Sequence, residues 1–148
     1  MAEAYIVAAA RTAGGRKGGK LAGWHPVDLA AEVLNSLVDR VGADPALVED
    51  VIMGCVGQAG EQSVNVARNA VLASKLPESV PGTSVDRQCG SSQQALHFAA
   101  QAVKSGAMDV VIASGDEAAA LELAGKVFGT KGAPQGSSPL ARGSRRGA

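Results

Sequence analysis

One stretch of this sequence carries residues suited to covalent chemistry: Val85-Asp86-Arg87-Gln88-Cys89-Gly90-Ser91-Ser92-Gln93-Gln94-Ala95. A strand-like run ends just before it and a helical pattern starts just after, so Cys89 falls where a strand turns into a helix. Helix starts leave main-chain N–H groups without partners. The aligned peptide dipoles favour a thiolate there over a thiol. A thiolate attacks an acyl carbonyl and afterwards leaves, which is the chemistry of acyl transfer. Gly90, Ser91 and Ser92 are small enough to let a substrate approach the backbone, whose N–H groups can stabilise an oxyanion. The same spacing also fits a cysteine that serves as a small buried hydrophobe, and spacing alone leaves both readings open.

Other candidates are fewer. Cys55 lies inside the apolar run Val51-Ile52-Met53-Gly54-Cys55-Val56 and reads as core. His25 precedes a helix and is followed by Pro26. His97 lies two helical turns beyond Cys89, about 12 Å along the axis, too far for a direct hydrogen bond. Both histidines read as ordinary surface or packing residues. The loop Gly14-Gly15-Arg16-Lys17-Gly18-Gly19 lacks the register of a dinucleotide-binding turn. Arg16, Lys17 and Lys20 carry charge that suits a ligand's phosphates, but a solvated loop is their default reading. No Cys/His cluster has zinc spacing, so no metal is expected. No residue is assigned to cofactor binding.

The elements that must position Cys89 follow from periodicity. Tyr5-Ile6-Val7-Ala8-Ala9-Ala10 reads as a buried strand. Val27, Ala30, Val33, Leu34, Leu37, Val38 and Val41 recur at three- and four-residue steps, one buried stripe of a helix. Pro26 suits its first turn and Gly42 its stop. Residues 51–56 form a second strand. A second helix is expected from about Ser63 through Val64, Ala67, Arg68, Val71 and Leu72. Gly82-Thr83-Ser84-Val85 is a short third strand. The third helix follows Ser92, with Ala95, Leu96, Ala99, Ala100 and Val103 on one face, and stops at Ser105-Gly106. Asp109-Val110-Val111-Ile112-Ala113 is a fourth strand. The order β-α-β-α-β-α-β predicts an α/β fold: a mostly parallel sheet with right-handed crossovers, covered by helices on both faces.

The character changes after Gly115. Glu117 to Val127 is expected to form a short helix, because Ala and Leu are good formers. Residues 129–148 are rich in Gly, Ser, Pro, Lys and Arg, hold no acidic residue, and read as disordered. The expected division is therefore 1–117 as one incomplete domain and 118–148 as a divergent tail.

Composition sets the outer bounds. A chain of 148 residues can bury one core. Aromatics make up 3%, so the core must come from Ala, Val, Leu and Ile. The formal net charge is zero, which gives nucleic acid no electrostatic footing. No apolar run reaches the ~18 residues of a membrane span, and the start lacks the pattern of a secretory signal. Cytoplasmic residence is expected, where two cysteines would not serve as a disulfide framework.

Read outward from Cys89, the chain resembles the N-terminal half of a thiolase, of the degradative or acetyl-CoA acetyltransferase kind. Ala10-Arg11-Thr12, the glycine-rich loop and Lys20-Leu21-Ala22-Gly23 resemble the family's opening strand and loop. Residues 51–56 resemble its second strand. Asn65-Val66-Ala67-Arg68 falls where the family has an "N-x-A-R" helix start. Val85 to Ser91 resembles its nucleophile loop, and Asp109-Val110-Val111-Ile112-Ala113-Ser114-Gly115 the strand that follows. The similarity covers residues 3 to about 117. Ketoacyl synthases share the architecture and a nucleophilic cysteine, but the "D-R-Q-C-G-S-S" loop and the "N-V-A-R" helix favour thiolase.

The resemblance implies that Cys89 attacks an acyl-CoA or 3-oxoacyl-CoA and carries the acyl group as a thioester. CoA takes that group in the cleavage direction, and a second acetyl-CoA carbanion in synthesis. Coenzyme A thioesters are thus substrates, with no permanently bound cofactor. Two departures stand out. The family usually has Gly where Ser92 sits, so its hydroxymethyl is expected to narrow the pocket or perturb the turn. After Gly115 the family continues with "E-x-M-S", a loop domain and a second half-fold, whereas Gly115-Asp116-Glu117-Ala118-Ala119 loses that pattern, as a frameshift or early stop would cause. The family's "G-H-P" histidine and "C-x-G" cysteine, its bases, belong to that second half. Turnover is therefore expected to be impaired, and the alternative is a non-catalytic fragment that associates with itself or another thiolase through exposed sheet surface, or does nothing.

Overall fold

A computed structural model describes residues 3–117 and 122–130. The first strand, β1, spans Ala4–Arg11. Helix α1 spans Pro26–Val41, with Pro26 in its first turn. The His25 Nδ1 accepts from the Val27 N–H at 3.2 Å and caps its start. Gly42 takes a left-handed φ of 62°, and its N–H closes onto the Val38 carbonyl. Asp28 in the first turn and Arg40 in the last complement the helix dipole. The expected stripe is the buried one: Ala30, Val33, Leu34, Leu37 and Val38.

Strand β2 spans Asp50–Cys55, α2 Val66–Ala73, β3 Gly82–Val85, α3 Ser91–Ser105, and β4 Val111–Glu117. The sheet has five strands in the order β1-β5-β4-β2-β3, where β5 spans Glu122–Thr130. β2 runs parallel to β3 and β4, whereas β5 is antiparallel to both β4 and β1. β1 to β4 consequently all point one way, and the sheet is mostly parallel as the alternation predicts. Helices cover both faces. Val51, Met53, Cys55 and Ile112 pack into one core with α1 and α2. Ile52, Val111 and Ala113 pack on the other face with Ala95, Ala99 and Val103 of α3. This alternation within β2 and β4 explains their unbroken apolar runs.

Four expectations need correction. α2 starts at Val66 rather than near Ser63. Val64 holds a φ of +69°, which no helix accommodates, and Asn65 caps the start by accepting the Arg68 N–H at 3.0 Å. β4 starts at Val111 rather than Asp109. The Glu49 carboxylate accepts the N–H groups of both Asp109 and Val110, so those donors are spent before the strand begins. Where a short helix is expected from Glu117 to Val127, the described residues are strand: Glu117 ends β4 and residues 122–127 belong to β5. Good helix formers lose here to tertiary pairing, since β5 pairs with β4 over residues 122–128 and with β1 over residues 124–130. Residues 129 and 130, expected to be disordered, end that strand. The expectations for 118–121 and 131–148 lie outside the described residues.

One group in the sheet sits at a cost. Asp50 opens β2 half-buried, and its Oδ1 has no hydrogen-bond partner among the described residues. Burial pushes its carboxyl above the ordinary value, against a smaller opposing effect from the Val51 backbone hydrogen bond. A carboxyl whose folded value is raised favours the fold while protonated and loses that contribution as pH rises through the folded value. Asp50→Asn is therefore expected to raise the melting temperature at neutral pH, with the gain vanishing as pH falls into the ordinary carboxylate range. Thermal melts of both chains across that range check it, and a gain independent of pH would contradict it.

Candidate active site

β3 ends at Val85 and α3 begins at Ser91, so the intervening turn carries Cys89 to the carboxyl ends of β2, β3 and β4. Crevices in open α/β sheets lie at that end. Cys89 is exposed, and Gly90 is the residue that caps α3. The buried-hydrophobe reading of Cys89 fails on that exposure. Cys55 is the buried cysteine, 1% exposed on the α1/α2 side of the sheet.

The turn is closed by its own hydrogen bonds. Asp86 Oδ1 accepts the Gln88 N–H at 2.8 Å. Gln88 holds a left-handed φ of +50°, uncommon for a residue with a Cβ. The Gly90 N–H donates to the Arg87 carbonyl at 3.0 Å and the Ser91 N–H to the Gln88 carbonyl at 3.1 Å. The Ser91 hydroxyl accepts the Arg87 N–H at 2.9 Å and donates to the Gln88 carbonyl at 2.7 Å. The Arg87 guanidinium reaches Gln94 Oε1 at 2.8 Å and ties the turn to the second turn of α3. Two of the N–H groups expected to point at the sulfur, those of Gly90 and Ser91, are thus committed to the turn itself.

Two glycines set how closely α3 approaches the sheet. Gly54 of β2 and Gly115 of β4 are register partners. A Cβ on Gly54 would lie 2.3 Å from both Ser91 C and Ser92 N, so the Ser91–Ser92 peptide rests on that glycine. A Cβ on Gly115 would lie 1.8 Å from Ser92 Oγ. The Ser92 hydroxymethyl is therefore seated against the sheet over Gly115. It fills space beneath the helix.

The strand that delivers Cys89 is fastened by the "N-V-A-R" residues. Asn65 Nδ2 donates to the Gly82 carbonyl at 2.8 Å, and its Oδ1 accepts the Ser84 hydroxyl at 3.0 Å. Ser84 Oγ in turn accepts the Ala67 N–H at 3.2 Å. The Arg68 guanidinium donates to the Val80 carbonyl at 2.7 Å. A Cβ on Gly82 would lie 2.7 Å from Arg68 N, so α2 also meets β3 at a glycine.

The remaining candidates stay apart from the sulfur. His25 caps α1. His97 is exposed on α3 and has no hydrogen bond to Cys89. Arg16, Lys17 and Lys20 are exposed in the loop after β1. A shallow apolar indentation lined by Leu37, Val41, Pro45, Val48 and Val110 lies where β2 and β4 start, the end of the sheet opposite Cys89. Gly54 and Gly115 escaped sequence reasoning as site residues, and Ser91 was read there only as a small residue. The signal available was a glycine interrupting each of two apolar strands, which marks a close backbone approach.

Comparison with known proteins places this geometry. Residues 4–125 match the profile of the family described as Thiolase, N-terminal domain, eight residues further than the motifs alone reach. The chain is 57% identical over 115 residues to a steroid 3-ketoacyl-CoA thiolase of Mycobacterium tuberculosis, covering 78% of this chain and 28% of that protein. It is 49% identical over 118 residues to a beta-ketoadipyl-CoA thiolase of Escherichia coli, covering 79% and 29%. The crystal structure of the Bacillus anthracis acetyl-CoA acetyltransferase superposes with a TM-score of 0.72 at 40% identity, covering 78% of this chain and 29% of that one. The chain thus spans under a third of the length of these relatives. With the fold, the motif order and these matches in agreement, the chain belongs to the thiolase family and matches part of its N-terminal region.

Proposed function

We propose that Cys89 is the nucleophile of thiolase-type acyl transfer between acyl-CoA or 3-oxoacyl-CoA and CoA. The observation that carries this reading is an exposed thiol at the mouth of α3, at the carboxyl ends of three parallel strands. The Cys89 sulfur adds to the thioester carbonyl, the tetrahedral adduct expels CoA, and the proton of the thiol leaves with the CoA sulfur. The product is a Cys89 thioester. The N–H groups of Gly90 and Ser91 are spent within the turn, and Ser92 N packs on Gly54, which leaves the Cys89 N–H as the donor beside the developing oxyanion. Neither His25 nor His97 serves as base, so acylation without turnover is the activity to expect of these residues. An exposed thiol suits a reducing compartment, and the cytosol fits that need.

Incubation with acetyl-CoA, read by intact and peptide mass spectrometry, tests the reading. One acetyl group on Cys89 is expected, absent in Cys89→Ser and retained in Cys55→Ser. A parent chain that stays unmodified, or one labelled equally in Cys89→Ser, overturns it.

A second, non-catalytic reading is association through exposed sheet surface. Tyr5, Ile6 and Val7 are 41%, 54% and 41% exposed on β1, which is an edge strand. A long apolar edge is a template for pairing with another chain. Light scattering should then show a dimer or larger species, and a monodisperse monomer would exclude it.

A further inference from the structure

We propose that Ser91 is a positioning residue for Cys89, acting through the left-handed turn that precedes it. This inference rests on the reading of Cys89 as nucleophile. Ser91 is 3% exposed, and it and Ser114 are the buried polar residues among those described. A hydroxyl keeps such a position when its hydrogen bonds are made. Both of its bonds run backwards across the nucleophile. It accepts from the Arg87 N–H at 2.9 Å and donates to the Gln88 carbonyl at 2.7 Å, so one side chain bridges the two residues that precede Cys89.

One of those two residues, Gln88, is under strain. Gln88 holds φ at +50°, a conformation that residues with a Cβ rarely keep unless their surroundings impose it. The Asp86 carboxylate fixes the Gln88 N–H from one side. Ser91 fixes the Gln88 carbonyl and the Arg87 N–H from the other. The backbone of Ser91 is itself pinned, because its carbonyl carbon rests over Gly54 of β2. The sheet thus locates Ser91, Ser91 locates the Gln88 peptide, and that peptide sets where the Cys89 sulfur and N–H point. Attack on a carbonyl needs both directions correct, whereas alkylation of a thiol needs only access.

The discriminating measurement is the ratio of two rates at Cys89: acetylation by acetyl-CoA and alkylation by iodoacetamide. Ser91→Ala is expected to slow acetylation about tenfold, less than the ~hundredfold that a 1 Å misplacement costs, while changing alkylation by less than about twofold. Ser91→Thr retains the hydroxyl and is expected to restore the parent ratio. Because threonine adds a methyl group at a packed site, a second rescue is needed. Adding Gln88→Gly to Ser91→Ala removes the left-handed strain and is expected to recover acetylation in part. Far-UV circular dichroism and melting temperature confirm folding in each case.

Equal ratios in Ser91→Ala and the parent would overturn the inference while leaving Cys89 as nucleophile. A fall in both rates together would assign Ser91 a general structural role and also overturn it. A parent chain that is alkylated but never acetylated would remove the nucleophile reading, and this inference with it.

Discussion

Gly54→Ala is expected to lower the melting temperature of this chain by about 10 °C or more, whereas Gly23→Ala should leave it near the parent value. The added Cβ would lie 2.3 Å from the Ser91–Ser92 peptide, and that obstacle is helix backbone, which cannot rotate aside. α3 must lift off β2, and its Ala95, Ala99 and Val103 then lose contact with Ile52, Val111 and Ala113. Overpacking of this kind costs about 3 kcal/mol, a sizeable part of a domain's 5–15 kcal/mol of roughly typical stability. Gly23 has nothing within 4 Å of the same added atom, so it controls for glycine replacement itself. Gly115→Ala is expected to destabilise as well, because the added atom meets Ser92 Oγ and Cβ and comes within 3.2 Å of its Cα, so turning the hydroxyl aside does not clear it. Combining it with Ser92→Gly should return most of the loss, a coupling that a double-mutant cycle reads directly. A Gly54→Ala chain melting within about 2 °C of the parent would show that α3 does not depend on that contact.

A chain ending at Glu117 is expected to lose cooperative unfolding altogether, while a chain ending at Thr130 keeps every strand pairing described here. β5 supplies seven register pairs to β1 and seven to β4. At about 0.5–1.5 kcal/mol net per hydrogen bond, losing that ladder removes on the order of 10 kcal/mol, comparable with the whole stability of a domain. β1 would keep no neighbour in the sheet, since β5 is its one partner in the strand order. Hydrogen exchange gives the clearest readout: β1 amides protected in the longer chain should exchange at unprotected rates in the shorter one. Protection of residues 4–11 in the chain ending at Glu117 would refute the assignment of β5.

Local signals made much of this architecture readable. Pro26 and Gly42 bracket α1 because each satisfies a requirement of a helix end that involves no distant residue. β3 was expected at Gly82-Thr83-Ser84-Val85 and lies there. Cys89 was expected between a strand and a helix and is found there, at the mouth of α3. What escaped depends on partners far along the chain. The late start of β4 is set by Glu49, some 60 residues earlier. β5 looks helical by composition, and two neighbouring strands override that preference. Gly54 and Gly115 are unremarkable apart in sequence and become a matched pair once β2 and β4 are in register. That Ser92 lies over Gly115 likewise depends on a strand more than twenty residues further along.

The position of β1 also fixes an order of events in biosynthesis. Ala4–Arg11 is made first, yet the strand that holds it ends at Thr130. The interval is nearly the whole described chain, and β2, β3 and β4 can pair with one another during it. Until residues 122–130 have left the ribosome, the Tyr5-Ile6-Val7 run lacks its one strand partner among those described. That is the window in which chaperones would meet this polypeptide, and the part of it they would hold.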